Sequence, residues 1–160
     1  MKFPKYAAAA ALLVPAFATT AAAQTATQTV SYEVQAINQL SVSGSPSLVI
    51  SSAPAGSAPT SATASGSYAV TTNQTGKKIT AELDNDLPSG VTLSVTLAAP
   101  TGAISVDGVS LSTTPASVVT GIGTVNESGL SVSYELAATV AAGVVPASSR
   151  TVLFTITDGV

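Results

Sequence analysis

Short segments in which apolar and polar residues alternate run through most of this 160-residue chain, and this period of two is the feature that most restricts its fold. Residues 91–97, VTLSVTL, and residues 130–140, LSVSYELAATV, show it most regularly. In the last segment, residues 152–156, Leu153 is the one large apolar residue out of phase. Successive side chains of a strand point to opposite faces, so each segment makes a half-buried strand. Gly, Pro, Asn and Asp separate the segments, and the pattern predicts an all-β protein, a single antiparallel β-sandwich of eight or nine strands.

Turn residues between alternating segments predict two strand pairs. Residues 68–71 and 79–83 alternate on either side of an Asn-Gln-Thr-Gly turn, so we expect a hairpin there. Asp107-Gly108 is a type I′ turn signal and predicts a second, smaller hairpin. The alanine-rich residues 137–142 also suit a helix, although the flanking Val, Thr and Ser favour a strand. We expect an Ig-like or Greek-key arrangement of these strands.

The first alternating segment is residues 28–42, QTVSYEVQAINQLSV, with apolar side chains on even positions. It has two interpretations. It is either the ordinary first strand of its own sandwich or a donor strand that enters a neighbouring copy of the protein. In the second case Val30, Tyr32, Val34 and Ala36 form the donor set that fills the neighbour's groove.

Residues 1–23 have the pattern of a secretory signal peptide. Lys2 and Lys5 give a basic start, an alanine-rich apolar run follows, and three alanines precede the expected cleavage site before Gln24. Its removal leaves one β-sandwich domain, residues 24–160. No later segment reaches the roughly 20 apolar residues of a membrane-spanning helix. We therefore expect a secreted protein that is not an integral membrane protein.

The side-chain inventory excludes several function classes. The chain has no histidine and no cysteine, so neither a Ser-His-Asp nor a Cys-His arrangement is available, nor are the usual zinc ligands. Without the signal peptide, three basic side chains face eight acidic ones, a net charge of −5. Such a chain lacks the cationic surface that nucleic acids require. We expect a non-enzymatic protein with no cofactor and no nucleic-acid partner.

A few polar clusters have a functional and a structural interpretation. Glu82, Asp84 and Asp86 could contribute to a calcium site, although Asp and Asn are also common turn residues, and we predict no metal. Asn73 and Asn126 begin glycosylation sequons, which a Ser/Thr-rich sequence also produces by chance. The Ser/Thr-rich residues 51–65 are expected to form a long surface loop, with O-linked sugars as an alternative.

Four sequence stretches resemble secreted bacterial β-sandwich surface proteins of the fimbrial (pilin) subunit type: VSYEVQAINQLSVSG, TGKKITAELDNDLPSGVTLSV, GLSVSYELAATV and RTVLFTIT. The resemblance covers most of the expected mature chain. Subunits of this type are incomplete sandwiches, completed by a strand from a chaperone or from the next subunit of a fibre. The chain departs from the commonest pilins because it has no cysteine pair and no aromatic residue in its final DGV.

The resemblance implies an extracellular structural subunit of a surface fibre or pilus-like assembly that takes part in adhesion and polymerises through its N-terminal strand. Its partners would be further copies of itself or other surface subunits. The alternative from a different class is a monomeric secreted module that binds a glycan or another surface ligand. Its binding loops would be residues 51–65 and 113–123.

Overall fold

The computed structural model describes residues 22–159, so the predicted signal peptide lies, apart from its last two residues, outside the described residues. The chain divides into two compact units, Met1–Glu33 and Val34–Val160. In the first unit, the described residues 22–33 form neither helix nor strand. The strands described below all belong to the second unit.

The second unit is an all-β, two-layer antiparallel sandwich, as the alternation predicts. Within residues 22–159 it has nine strands and one 3-10 turn at Val140–Ala142. The strands are β1 Asn38–Ser43, β2 Ala62–Thr72, β3 Lys77–Leu83, β4 Val91–Leu97, β5 Ile104–Ser105, β6 Val109–Ser110, β7 Ala116–Ile122, β8 Val125–Ala138 and β9 Val152–Asp158. The first sheet has the order β1-β2-β8-β4-β6 and the second the order β5-β7-β3-β9.

The core lies between the two sheets and is formed by the apolar positions of the alternating segments. In β4, Leu93, Val95 and Leu97 are buried, and in β3 Ile79, Ala81 and Leu83 are buried, in the predicted phase. Leu153 of β9 is 54% exposed, which confirms that it is out of phase.

Two tyrosines are also part of this core. The hydroxyl of Tyr68 donates a hydrogen bond to the carbonyl of Ala98 at 2.5 Å. Burial, with a smaller effect from the charge of Glu127, raises the pKa of Tyr68 to about 12. Burial also raises the pKa of Tyr134. Both hydroxyls therefore stay protonated at neutral pH.

Both predicted hairpins are wrong. The segments on either side of residues 73–76 become β2 and β3, which lie in different sheets, so this turn crosses the sandwich instead of closing a strand pair. Likewise β5 pairs with β7 while β6 pairs with β4. Gly108 has a positive φ of 60°, but no described non-glycine residue does, so Asp107-Gly108 does not form the type I′ turn. Alternation predicted these four segments to be strands, but it did not indicate in which sheet each of them pairs.

No helix among residues 22–159 has the length and apolar character that crossing a membrane demands.

Candidate assembly site

The predicted first strand forms only in its second half. β1 begins at Asn38, whereas residues 28–37, here called the arm, have no strand assignment. The reason lies in β2, its pairing partner, because Asn38 pairs with Thr72, the last residue of that strand. Beyond Thr72 the chain turns towards the other sheet, and the ladder between β1 and β2 ends at this pair. In this structure the predicted segment 28–42 is therefore a strand only from Asn38 onwards.

The donor residues predicted from the sequence are all solvent-exposed. Val30 is 73% exposed, Tyr32 92% and Val34 80%, and Ala36 is also exposed. Val30 and Tyr32 belong to the first compact unit, and Val34 and Ala36 to the second. An apolar side chain that is left in water forgoes the roughly 1.5–3 kcal/mol that its full burial contributes. The arm thus presents an apolar stripe to solvent.

Asn73, the residue after β2, holds the base of the arm through three hydrogen bonds. The Ile37 amide donates to the Asn73 side-chain oxygen Oδ1 at 2.8 Å, and the Asn73 side-chain nitrogen Nδ2 donates to the Gln35 carbonyl at 2.8 Å. Its own backbone amide donates to the Ile37 carbonyl at 3.3 Å. One carboxamide therefore continues, for two residues, the hydrogen bonding that β2 no longer supplies.

A second set of polar contacts fixes the first residue of β1. Thr72 is 3% exposed, and its hydroxyl donates to the Asn38 side chain at 2.7 Å. The Asn38 side-chain nitrogen donates to the side-chain oxygen of Gln74 at 2.6 Å, and the Gln74 amide donates back to the Thr72 hydroxyl at 3.0 Å. This network secures the start of β1, so the change from strand to arm is sharply defined.

The last strand, β9, is the candidate acceptor for such an arm. It pairs with β3 along its full length and, within the described residues, has no strand on its other edge. Its inward side chains Val152, Phe154 and Ile156 pack against the core but stay half-buried. β1, the edge strand of the other sheet, lies close to β9. We call this side of the sandwich, bounded by β1 and β9, the open side.

Carboxylates hold both ends of β9 against β3. At one end Lys77, whose side chain is 10% exposed, forms an ion pair with Asp158, and this contact lowers the pKa of Asp158. At the other end Asp84 accepts a hydrogen bond from the Thr151 amide at 3.0 Å, which lowers the pKa of Asp84. β9 is therefore an edge strand with fixed ends and an accessible middle.

The same contacts account for the acidic cluster that the sequence raised as a calcium candidate. Asp84 faces the start of β9, and the Asp86 carboxylate accepts a hydrogen bond from the Thr113 hydroxyl at 3.2 Å. The Arg150 guanidinium donates to the Asp86 carbonyl at 3.0 Å. In residues 22–159 no three acidic side chains come together to hold a metal ion.

The loops of the alternative binding hypothesis are only partly present. Residues 51–61 form the expected surface loop, and β2 begins at Ala62. Residues 113–123 are not a loop, because Ala116–Ile122 is β7, an interior strand of the second sheet. Val118 and Val119 are both fully buried, which their adjacent positions, out of alternation, did not indicate.

The sequence missed two parts of this site. Asn73 belongs to an ordinary turn motif, and nothing in its neighbourhood indicates contacts with residues 35 and 37. The apolar face of β9 was predicted, but its position at a sheet edge follows from strand order. Neither a scan against protein-family models nor a search of curated proteins finds a match for this chain.

Proposed function

We propose that this protein is an exported, non-enzymatic structural subunit of a bacterial surface fibre, in which the arm of one subunit adds a strand to the open side of the next. The observation that carries the proposal is the exposure of Val30, Tyr32 and Val34, which alternate along a segment that has no strand assignment. Addition of an extended segment to a sheet edge is a general mode of protein association.

The open side suits this arm in both hydrogen bonding and packing. The free edge of β9 offers backbone groups to an incoming strand, as any unpaired sheet edge does. Val152, Phe154 and Ile156 are half-buried, so apolar side chains added beside them would cover area that is now in water. Each large apolar side chain that becomes buried contributes roughly 1.5–3 kcal/mol. With its inward side chains on one face, the arm would extend the core of the neighbour.

The first test examines the mature protein taken from the cell surface, by SDS electrophoresis with and without boiling and by negative-stain microscopy. The expected result is a ladder that collapses to one band on boiling, together with filaments on the grid. A single band below the 15.6 kDa of the full 160-residue chain, without filaments, would contradict the proposal. The monomeric ligand-binding module, acting through the loop at residues 51–61, would then be tested for glycan binding.

The second test separates the two faces of the arm. The double variant Val30→Ser, Tyr32→Ser removes apolar side chains from even positions, and Ser31→Ala, Glu33→Ala changes the intervening ones. We expect the first variant to lose the SDS-resistant ladder while its sandwich stays folded, since none of the altered residues lies in a strand. The matched control should still assemble. Equal loss in both variants would show that an inward apolar face is not what assembles the fibre.

A deletion of residues 24–36 tests the arm as a whole. The truncated protein should fold and remain monomeric, and an added peptide of the same residues should raise its melting temperature. An ordinary first strand would instead leave the truncated protein unfolded.

A further inference from the structure

We propose that Asn73 is a positioning residue that fixes where the exchanged strand ends: arm residues up to Val34 enter the neighbouring subunit, and arm residues from Gln35 onwards stay with their own subunit. This inference rests on the function proposed above and makes it more specific. The juxtaposition that carries it is the Asn73 carboxamide bound to the backbone of both Gln35 and Ile37.

The hydrogen bonds determine this boundary. In a strand, the backbone groups of alternate residues point to the same side, so residues 35 and 37 together face Asn73. Both polar atoms of the carboxamide are used, one as acceptor from the Ile37 amide and one as donor to the Gln35 carbonyl. Ala36 lies between two held residues and cannot leave its own subunit unless these bonds break. Val34 is the first residue before the contact.

The boundary divides the donor set that the sequence predicts. Val30, Tyr32 and Val34 precede the Asn73 contact and can enter a neighbour, whereas Ala36 is withheld. The neighbouring copy therefore receives three apolar side chains from even positions, and the link between subunits is short. Because Asn38 is fixed by Thr72 and Gln74, the segment from residue 35 to β1 belongs to the folded subunit.

Two substitutions separate the bonds. Asn73→Ala removes both side-chain bonds, whereas Asn73→Asp keeps an acceptor for the Ile37 amide but loses the donor to the Gln35 carbonyl. Asn126→Ala is the matched control, because Asn126 is also an exposed asparagine near the end of β2 and pairs with Thr71 in the ladder.

The first measurement reports on the contact without any assembly. In the Val30→Ser, Tyr32→Ser background, amide hydrogen exchange is followed at Ile37. We expect exchange about fivefold faster in Asn73→Ala, as loss of one exposed hydrogen bond of about 1 kcal/mol implies. Asn126→Ala should exchange like the parent. Unchanged exchange in Asn73→Ala would overturn the proposal, because Asn73 would then not hold the segment.

The second measurement locates the boundary in the fibre by disulfide trapping, which this cysteine-free chain permits. A cysteine at Ser31, Glu33 or Gln35 is combined in turn with one at Leu153, Thr155 or Thr157, the exposed face of β9. We expect links between subunits from positions 31 and 33 and not from 35. Adding Asn73→Ala should make position 35 form links, and Asn126→Ala should not.

Failure of the proposed boundary and failure of the proposed fibre assembly give different results. Links from position 35 in the presence of Asn73, as strong as those from position 33, would overturn the boundary while fibre assembly stands. If no position links subunits in any variant although Ile37 exchange still depends on Asn73, the fibre proposal fails and the boundary fails with it.

Discussion

The two long sides of the sandwich differ in whether a segment of the same chain covers them. On the side opposite the open side, residues 104–111 run from the second sheet to the first and connect β7 with β4. The Val106 amide donates to the Val118 carbonyl at 2.9 Å, and the Ser105 hydroxyl donates to the Leu97 carbonyl at 2.6 Å. We call this the closed side.

Apolar side chains are buried to different degrees on the closed side and on the open side. On the closed side Leu97, Val118 and Ile122 are fully buried, whereas on the open side Val152, Phe154 and Ile156 remain half-buried. A segment of the same chain covers one side, and no described segment covers the other. An edge of the sandwich is covered where a connecting segment of the chain crosses between the two sheets. The open side is not covered in this way by any described segment, which leaves it available to a strand from another molecule.

The largest effect is expected from Ile122→Ala in β7, on the closed side. Ile122 is fully buried, so the truncation loses its transfer free energy and leaves a cavity. We expect the free energy of unfolding to fall by about 2–5 kcal/mol, measured by urea titration. A loss below about 1 kcal/mol would mean that the closed side is not tightly packed.

The matched substitution on the open side is Ile156→Ala in β9. The side chain stays partly exposed, so in the monomer we expect a smaller loss than for Ile122→Ala, about 1–2 kcal/mol. In the presence of the peptide of residues 24–36 the difference from the parent should increase, because the peptide buries this side chain further. Losses as large as that of Ile122→Ala in the free monomer would contradict the contrast between the sides.

Gly66 tests how closely β1 approaches β2 on the open side. A Cβ at this position would lie 2.7 Å from the Ser43 carbonyl oxygen, a contact with rigid backbone. Gly66→Ala should therefore loosen the end of β1 and destabilise the protein by about 1 kcal/mol, the low end of the cost of overpacking. Amide exchange should rise in β1 and stay unchanged in β7. Equal increases in both strands would indicate a general loss of stability rather than a local effect.

The smallest effect is expected from acid, acting on the ends of β9. The pKa of Asp84 is lowered chiefly by the Thr151 amide, and that of Asp158 chiefly by Lys77. Because these pKa values are lower in the folded state, the stabilisation is present above the unfolded value of about 3.9 and is lost as the pH falls through the folded values. Stability by urea titration should decline below about pH 4.

A double variant assigns part of this decline to the open side. Asp84→Asn, Asp158→Asn should flatten the dependence of stability on pH. Some dependence should remain, because hydrogen bonds from Thr101 also lower the pKa of Glu127. If the double variant loses stability in acid as steeply as the parent, the carboxylates at the ends of β9 are not responsible.

From the sequence alone, alternation located most of the strands and the core-facing side chains of β3, β4 and β9. It also predicted a strand over residues 28–37, and residues 113–123, which contain β7, were expected to be a loop. The phase of β4, the buried face of β3 and the outward position of Leu153 all follow from a period of two, because the pleat of a strand is a local property.

The pairing partners of those strands are visible only in the folded protein. Residues 28–37 have the alternation of a strand but lie outside every ladder, since β2 ends opposite Asn38. Residues 73–76 have the composition of a hairpin turn and cross between sheets instead, and Asn73 thereby reaches Gln35 and Ile37. Strand pairing joins backbone groups that are distant in sequence, and an alternating pattern is the same whichever partner a strand finds.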